Sequence, residues 1–488
     1  MQFILMTGLW GILILAALLT LIVVLRTLSF KPESAKERGQ YRERTDLSCA
    51  GKLSGAIRIP TLTGAEETPE GKNPFLEFHR YLEETFPRVH DTCEKIVINR
   101  YSLIYRLKAA KADPVKKPVL ITAHMDVVPV EAGTEEHWTQ PAFSGAIKEG
   151  LLWGRGTLDT KAHLICAMEA LEGLLGKGFA PARDVWLAFG HDEEFNGEEG
   201  ALKIADYFKE QGLAFDFVLD EGGCVVKNAM DGIDKPIALV GVGEKGFANI
   251  RLSVTRDGGH ASMPAPHTSL GILAEALCRL EKNPSKPRLI PSVRAFLLKL
   301  GPHMKGFNRV VLANLWLFEP LFLRVFSGTN TGSALLRTTL AVTMAKGSPA
   351  PNVIPQKSSA VINCRILPGE DGKSLVKRLE KILKGLPVEL EPLVLDDPSS
   401  LSPSDCEAYR YLESLIESYC GDAIIVPYLI MASTDARKYE GVCKNIYRFT
   451  PYIIDNEDVG RIHGTDENIS IANINRLTDF FTALIKGV

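Results

Sequence analysis

The segment GHDEEFNGEE, residues 190–199, concentrates ionisable side chains that could do chemistry. Asp192, Glu193, Glu194, Glu198 and Glu199 place five carboxylates within eight residues, in a chain whose formal net charge is only −3. Carboxylates this close repel one another and raise each other's pKa when no positive charge lies among them. The segment directly follows VWLAF, an apolar run typical of a buried strand. Because carboxylates held together at the end of such a strand need a positive charge among them, the segment is a candidate cation site.

Further residues able to bind a metal lie at the ends of predicted strands and helices: His124, Asp126, Asp159, Asp220 and His463. Each has an ordinary explanation when taken alone, such as a surface turn, a helix N-cap or a solvent-facing histidine. The pair Glu193–Glu194 alone fits an exposed acidic turn. Together these residues supply the nitrogen and oxygen ligands that zinc takes in catalytic sites. Because two ions about 3.5–4 Å apart need a bridging carboxylate, the set predicts a pair of divalent metals.

The elements that would position these residues alternate between strand and helix. The runs VLITAH, VWLAF and FDFVLD have the apolar character of buried strands, whereas DTKAHLICAMEALEGLLGKG and EEGALKIADYFKEQG have helical spacing. This alternation predicts an α/β domain with a mostly parallel sheet. Ligands of such sheets lie at the carboxyl ends of the strands, where His124, Glu193, Glu194 and Asp220 fall.

A second, smaller domain is predicted to interrupt the first. From about residue 246, the segments ANIRLSVTR, RTTLAVTMAKG and SSAVINCRIL alternate like antiparallel strands, and SLVKRLEKILKGL is amphipathic. Two domains also suit a chain of 488 residues. The predicted division is a membrane anchor or signal sequence at 1–26, a polar linker at 27–45, a catalytic domain at 46–245 and 396–488, and an inserted α+β domain at 246–395.

The N-terminal segment, residues 2–25, carries no charge. As a helix it would be about 36 Å long, enough to cross a hydrocarbon core of about 30 Å. A cleaved signal peptide, which would make the protein secreted, is the alternative, but such peptides usually have a basic start and a shorter apolar region. We therefore predict a single-pass N-terminal transmembrane helix that associates the protein with a membrane. The basic residues after it favour a cytoplasmic C-terminal side without deciding it: Arg26, Lys31, Lys36, Arg38, Arg42 and Arg44.

Charge and cysteine usage argue against other classes of protein. With a net charge of −3 and no segment that a basic stripe dominates, we expect no nucleic-acid partner. The nine cysteines are scattered and never occur as CxxC, which is neither a disulfide framework nor a thiolate zinc site. The lack of cysteine ligands suits a catalytic rather than a structural metal site.

Eight motifs occur in a fixed order over residues 50–488: TAHMDVVP, GRGTLDTK, GHDEE, LDEGG, GHASMP, NVIP, RILPGE and IHGTDENIS. In this order the chain resembles the di-zinc aminoacylase/carboxypeptidase family, peptidase family M20. The segments FSGAIKEGLLWGRGTLD, WLFEPL and IYRFTPYII make it most similar to the N-fatty-acyl-amino-acid synthase/hydrolases and to vacuolar carboxypeptidase S. The resemblance implies a phosphorylase/hydrolase-like zinc exopeptidase catalytic domain, and makes the inserted domain a lid.

The resemblance also implies two Zn²⁺ ions per chain, for which Co²⁺ or Mn²⁺ substitute. In it, His124 and Asp220 bind one ion, Glu194 and His463 bind the other, and Asp159 bridges the two. Glu193 is then the general base, and Asp126 orients the imidazole of His124. The family usually has Asp-Asp-Lys where this chain has Asp159-Thr160-Lys161. A non-proline cis peptide is expected after Asp159.

In the lid, the resemblance assigns three residues to the substrate. His260 in GGHASMP helps to hold the tetrahedral oxyanion, and Asn352 in PNVIP and Arg365 in NCRILPG grip the substrate. Arg365 would bind the α-carboxylate, because a planar guanidinium meets a carboxylate with two parallel hydrogen bonds. Dimeric relatives place the lid histidine in the neighbouring subunit's site and monomeric ones supply an equivalent internally. The resemblance therefore allows two arrangements, a homodimer through the lid or a monomer.

The implied reaction is cleavage of the amide bond of an N-acyl amino acid or short peptide, and the same site run backwards would condense the products. Residues 289–326 are more apolar than a small lid needs. They predict either extra helices packed on the lid or an apolar channel or membrane-facing patch for a long acyl chain. We therefore expect long-chain N-acyl amino acids as substrates. The alternatives are a membrane-anchored carboxypeptidase or dipeptidase of the carboxypeptidase S type, and an inactive binding protein, which predicts a missing ligand.

Overall fold

The computed structural model describes residues 2–32, 41–64, 71, 73–111, 113 and 115–488, with side chains from residue 6 onward. Residues 33–40 of the predicted linker, including Lys36 and Arg38, lie outside the described residues. The chain forms two units. The larger consists of Ser34–Gly243, Ser402–Tyr428 and Thr434–Val488, and the smaller of Met1–Glu33, Glu244–Leu401 and Leu429–Ser433. The predicted insert, residues 246–395, falls within the smaller unit.

The described helices are α1 (Gln2–Ser29), α2 (Ser48–Ile57), α3 (Pro74–Thr85), α4 (Pro87–Thr92), α5 (Lys161–Leu175), α6 (Ala201–Glu210), α7 (Ser269–Lys282), α8 (Pro291–Leu300), α9 (Gly306–Ala313), α10 (Leu315–Phe326), α11 (Asn330–Leu336), α12 (Gly372–Leu383), α13 (Glu407–Tyr419) and α14 (Ile471–Gly487). The described strands are β1 (Glu94–Ile98), β2 (Ser102–Leu107), β3 (Val119–His124), β4 (Ile147–Lys148), β5 (Leu151–Trp153), β6 (Val185–Gly190), β7 (Val218–Asp220), β8 (Val225–Lys227), β9 (Ile237–Glu244), β10 (Gly246–Thr255), β11 (Gly259–His260), β12 (Thr339–Lys346), β13 (Val353–Ile354), β14 (Lys357–Ile366), β15 (Glu389–Asp396), β16 (Ile424–Ile430), β17 (Ile446–Arg448), β18 (Ile453–Asp455) and β19 (Asn468–Ser470).

The larger unit is built on a ten-stranded sheet in the order β1-β2-β6-β3-β7-β17-β9-β8-β18, with β16 paired to β9. Its central strands β6, β3, β7 and β17 are parallel neighbours. Every residue of β3 and β6 is buried. Strands covered on both faces need apolar side chains at every position, which explains their unbroken apolar runs. The predicted α/β class with a mostly parallel central sheet is confirmed.

Helices α5 and α14 lie in the main core of the larger unit. Leu164, Met168 and Leu171 of α5 and Phe480 and Phe481 of α14 are all in this core, at most 1% exposed. A fully buried side chain of this size contributes about 1.5–3 kcal/mol relative to its exposed state. Because α5 begins two residues after Asp159, this packing holds the start of the helix, and the preceding loop, against the sheet.

The smaller unit contains a four-stranded antiparallel sheet in the order β12-β14-β10-β15. Buried and partly exposed residues alternate along β10 and β14, as expected for strands with one face on a core. The helix predicted from SLVKRLEKILKGL is α12, which begins with a capping box formed by Asp371 and Ser374. The apolar residues 289–326 form α8, α9 and α10.

The predicted apolar helix is α1, and its stretch Met6–Ser29 is long and apolar enough to span a membrane, with none of its most apolar window buried. A signal sequence near the N-terminus can pass the same test of length and composition. The helix ends at Ser29, so residues 27–29 of the predicted linker are helical. The Thr27 hydroxyl donates to the Val23 carbonyl at 2.7 Å and that of Ser29 to Arg26 at 3.0 Å. These bonds let polar residues remain within the last turn.

Candidate active site

Three neighbouring parallel strands deliver the first site residues to one edge of the sheet. Strand β3 ends at His124, β7 ends at Asp220, and β6 ends at Gly190, just before Glu193 and Glu194. Because β3 lies between β6 and β7, their carboxyl ends meet at one edge, as predicted. The other two predicted ligands, Asp159 and His463, come from loops before α5 and before β19.

Asp159 lies between the two histidines. His124 Nε2 is 3.0 Å from Asp159 Oδ1, and His463 Nε2 is 2.9 Å from Asp159 Oδ2. His463 Nε2 is also 3.2 Å from Glu194 Oε2. The peptide bond Asp159–Thr160 is cis, as the resemblance implies. A carboxylate with one oxygen towards each imidazole has the arrangement that a bridging ligand requires.

Asp126 is fully buried and contacts residues that follow the ends of two neighbouring strands, β3 and β6. The carbonyl of Asp126 lies 2.9 Å from His124 Nδ1. Its carboxylate accepts hydrogen bonds from the Thr63 hydroxyl at 2.8 Å and from the backbone N–H groups of Glu193 and Glu194 at 3.2 and 3.1 Å. Burial opposes ionisation, but the hydrogen bonds lower the pKa of Asp126 below its ordinary value. Asp126 thus contacts His124 Nδ1 through its carbonyl, with its carboxylate Oδ1 3.4 Å from the same nitrogen, and its carboxylate holds the turn that carries both glutamates. Its role in orienting the imidazole stays a prediction.

A carboxylate not predicted from the sequence, Glu221, joins this cluster. The side chains that bring ligand atoms within 4.8 Å of one another form three groups: His124 with Glu193 and Glu194, His124 with Asp159 and Glu221, and Asp159 with Glu194 and His463. Among the described residues, Asp220 is in none of these groups. Asp220 is the last residue of β7 and Glu221 follows it outside the strand, so strand geometry does not decide which of the two faces the site. Asp220 stays a predicted ligand, and Glu221 competes with it.

The charges of the cluster are compatible with a bound cation. Burial raises the pKa of Glu193 and of Glu221 well above the ordinary value, and neighbouring carboxylates add to both shifts. Hydrogen bonds to Asp159 and Glu194 raise the pKa of His463 to about 10. Within the part of the chain that the structure describes, the buried Oε1 of Glu194 has no hydrogen-bond partner. Two imidazoles and several converging carboxylates, one with an unused oxygen, fit zinc.

A buried ion pair ties together the two loops that carry Asp159 and His463. Arg155 and Glu467 are 3% and 0% exposed, and Arg155 NH1 donates to Glu467 Oε2 at 2.7 Å. Glu467 Oε1 also accepts from the backbone N–H of Leu158 at 2.7 Å and of Asp159 at 3.2 Å. Arg155 NH2 donates to the carbonyl of His463 at 3.0 Å. The pair thus links the backbone of one predicted ligand to that of the other.

Sequence analysis did not identify Arg155 or Glu467, although both lie within quoted motifs. A local signal was present: a charged residue flanked by glycines in GRG, and an acid directly before the NIS strand, suit a buried charge pair. Their spacing of over 300 residues hid the pairing. Only the fold brings these two loops together.

The predicted lid residues lie in the smaller unit. His260 is exposed, and its Nδ1 is 2.8 Å from the Ser262 hydroxyl. Strand β11 pairs with β13, and the Asn352 carbonyl accepts from the N–H of Ala261 at 3.0 Å, so His260 and Asn352 share one ribbon. Arg365 lies on β14, with its guanidinium 4.8 Å from the centre of the Phe247 ring. The roles of these residues towards a substrate stay predictions.

Comparison with known proteins decides the family. The model of Peptidase family M20/M25/M40 matches residues 120–487. The chain belongs to this family. This M20 protein is 36% identical over 479 residues to Probable carboxypeptidase S-like 2 of Dictyostelium discoideum, covering 96% of this chain and 91% of that protein. It is also 36% identical over 459 residues to the N-fatty-acyl-amino acid synthase/hydrolase PM20D1 of Xenopus tropicalis, covering 91% and 86%.

The solved structure of Sso-CP2, an M20 family metallo-carboxypeptidase from Sulfolobus solfataricus, matches the M20 chain with a TM-score of 0.65 at 17% identity. The match covers 90% of this chain and 99% of that one, and confirms the predicted fold. The family and enzyme class are likewise confirmed: this M20 protein is a zinc-dependent enzyme of the metallopeptidase and amidohydrolase class. The roles of its individual site residues stay predictions.

Proposed function

We propose that this M20 enzyme hydrolyses the amide bond of N-acyl amino acids with long acyl chains at a two-zinc centre. The carrying observation is the placement of the Asp159 carboxylate between His124 and His463, with an oxygen 3.0 Å from one imidazole and 2.9 Å from the other. The N-fatty-acyl-amino acid synthase/hydrolase and carboxypeptidase S-like relatives support hydrolysis of N-acyl amino acids or peptides. The reverse condensation uses the same groups.

Two sets of residues would hold the metals. His124 with Glu221 or Asp220 would hold one ion, His463 with Glu194 the other, and Asp159 would bridge them. When bound, the ions supply positive charge that acidifies water and polarises the amide carbonyl. Asp126 keeps the His124 ring oriented through the contacts described above.

Glu193 is the proposed general base. It accepts a proton from the water that attacks the amide carbon, and then delivers that proton to the nitrogen as the carbon–nitrogen bond breaks. The products are a carboxylic acid and a free amino acid, so atoms and charge balance. The proposal keeps the lid roles implied by the resemblance: His260 stabilises the oxyanion, and Asn352 and Arg365 bind the substrate.

The long-chain preference is proposed because of the apolar insertion. Nine of the twelve residues of α10 are large apolar side chains, yet only Leu315 is buried. A dipeptidase has no evident use for such a surface, whereas long-chain amides concentrate at apolar surfaces and bilayers. A carboxypeptidase is the second candidate function, because the chain is 36% identical to a carboxypeptidase S-like relative.

A matched substrate panel tests this function. The full chain in detergent, supplied with zinc, is offered N-acetyl, N-lauroyl and N-oleoyl amino acids beside simple dipeptides. We expect kcat/KM to rise at least roughly tenfold from acetyl to oleoyl, because each buried methylene contributes about 0.8 kcal/mol. We also expect a chelator to abolish cleavage and zinc to restore it. Cleavage of dipeptides alone would replace the proposed substrate with that of a carboxypeptidase, and chelator-resistant cleavage would refute the metal centre.

The choice between Glu221 and Asp220 has its own test. We expect Glu221→Gln to lower zinc affinity by more than the roughly 100-fold that losing an outer-shell partner costs. Asp220→Asn is the matched variant, because asparagine keeps the shape of the aspartate side chain. If Glu221 is the ligand, we expect the zinc content of Asp220→Asn to stay near that of the parent. Zinc per chain after dialysis against graded chelator measures both. Loss of metal in the Asp220 variant alone would instead support the assignment made from the resemblance.

A further inference from the structure

The insertion α8–α10 presents an apolar surface without a partner in the described chain. In α10 every residue but Leu315 is at least partly exposed. Phe307, Trp316, Leu321 and Val325 each leave between 47% and 67% of their surface exposed. A helix that is apolar all round is normally buried in a large core or in a membrane. Trp316 and Val325, nine residues apart, lie about 180° from one another around α10, so the exposure is not confined to one side of the helix. The exposed surface of these four residues, here called the insertion face, therefore lacks its natural covering.

The last turns of α1 are fastened to this insertion. Asn314, fully buried between α9 and α10, donates to the Val23 carbonyl at 3.3 Å and to the Thr27 hydroxyl at 3.1 Å. Arg309 NH2 donates to the Phe30 carbonyl at 2.6 Å. Val23, Thr27 and Phe30 are the partly buried positions of this end of α1, spaced as one helix face, whereas residues 6–22 are exposed. The helix therefore leaves the insertion at Val23 and projects away from it.

These contacts fix the depth of the insertion if α1 spans a bilayer. At 1.5 Å per residue, Val23 is roughly 32 Å along the helix from Gln2, about the thickness of a hydrocarbon core. Arg26, the first charged residue of the chain, follows within one turn. The point where Asn314 holds α1 thus lies at the boundary between hydrocarbon and headgroups. The insertion face is attached at that same boundary.

The charge of the insertion suits an anionic surface. Residues 291–326, which span α8–α10, contain a single acidic residue, Glu319, and it is paired with Arg294. The same residues contain five basic ones: Arg294, Lys299, Lys305, Arg309 and Arg324. Basic residues beside exposed aromatic and aliphatic ones are typical of segments that lie in a membrane interface.

We propose that the insertion face lies in the headgroup region of an anionic bilayer, as a second membrane contact beside α1. The proposal requires that α1 is retained, and is independent of the hydrolase reaction. The occupant is a lipid surface rather than a second copy, because the face is continuous with a helix suited to span a bilayer and its charge is almost entirely of one sign.

Trp316 reports directly on this contact. The full chain carrying Trp10→Phe, which removes the tryptophan of α1, is reconstituted into phosphatidylcholine vesicles with increasing phosphatidylserine. We expect lipids brominated near the headgroup to quench tryptophan emission, more strongly as phosphatidylserine increases, and the quenching to be lost in Trp10→Phe/Trp316→Phe. Trp138 and Trp186 are buried at 8% and 2% exposure, and the partly exposed Trp153 is present in both variants, so the difference between the two reports on Trp316.

Two outcomes would overturn the proposal. Quenching of Trp316 by aqueous iodide but not by brominated lipid would place the face in water. Protection from both, together with a dimer that Val325→Glu dissociates, would show a second copy covering it. Hydrolysis of a short, soluble N-acyl amino acid, followed in the same variants, separates failure of this proposal from failure of the proposed function.

Discussion

Glu193→Gln is expected to lower kcat for amide hydrolysis by roughly 10²–10⁴-fold, the usual contribution of a general acid–base group. Its carboxylate is buried, and Oε2 is 4.0 Å from His124 Nε2, beyond a direct hydrogen bond. Glutamine keeps the shape of the side chain but cannot accept the proton of water. Because the proposed ligands are untouched, we expect the variant to keep both zinc ions. Steady-state kinetics and zinc content, measured on the same preparation, check the prediction.

The matched control is Glu198→Gln, in the same acidic run. The side chain of Glu198 is 54% exposed and pairs with Lys438, so its loss leaves the site intact. We expect near-parental kinetics. If Glu193→Gln loses zinc in proportion to activity, Glu193 is a ligand and not the base. If it keeps its activity, the proposed base is wrong.

Glu467→Gln is expected to destabilise the larger unit by about 3–5 kcal/mol, because it leaves the buried charge of Arg155 without its partner. For a unit of this size that loss lowers Tm by on the order of 10 °C. The same change loosens the backbone N–H groups of Leu158 and Asp159 that Glu467 holds. We therefore also expect weaker zinc binding. Thermal unfolding with and without added zinc measures both effects.

Neighbouring and paired variants keep this prediction falsifiable. Asp466→Asn is the control, since the Asp466 side chain bonds Thr139 at the surface and its positive φ of 58° is tolerated by asparagine. Its cost should be about 1 kcal/mol. Arg155→Met combined with Glu467→Gln should cost less than either change alone, because no buried charge is then uncompensated. Equal stability of Glu467→Gln and the parent would contradict the role of the pair.

The site residues that sequence analysis located share a local signal. His124, Glu193 and Asp220 each follow an apolar run at the end of a parallel strand, and the fold collects such ends at one edge. The signal could not decide between Asp220 and Glu221. Asp220 ends β7 and Glu221 follows it outside the strand, so which of the two faces the site depends on how the chain turns after the strand, and the apolar run before them does not reveal that turn.

The remaining features depend on contacts between distant parts of the chain. Arg155 and Glu467 are ordinary charged residues until the loops carrying Asp159 and His463 meet. The insertion could be predicted as apolar from its composition, but its exposed face could not, because α10 is apolar on every side. Its attachment to α1 through Asn314 joins residues about 290 positions apart, and nothing local marks them as partners.

The chain order of the site has a consequence for biosynthesis. Every cluster residue up to Glu221 is translated before the insert, whereas His463 and Glu467 follow it. At about 5–20 residues per second, roughly 10–50 s separate the emergence of these two halves. During that interval the nascent chain carries only part of the acidic cluster. The proposed two-metal centre can be completed only after His463 has been synthesised, and we expect a chain truncated before residue 463 to bind less zinc than the full chain.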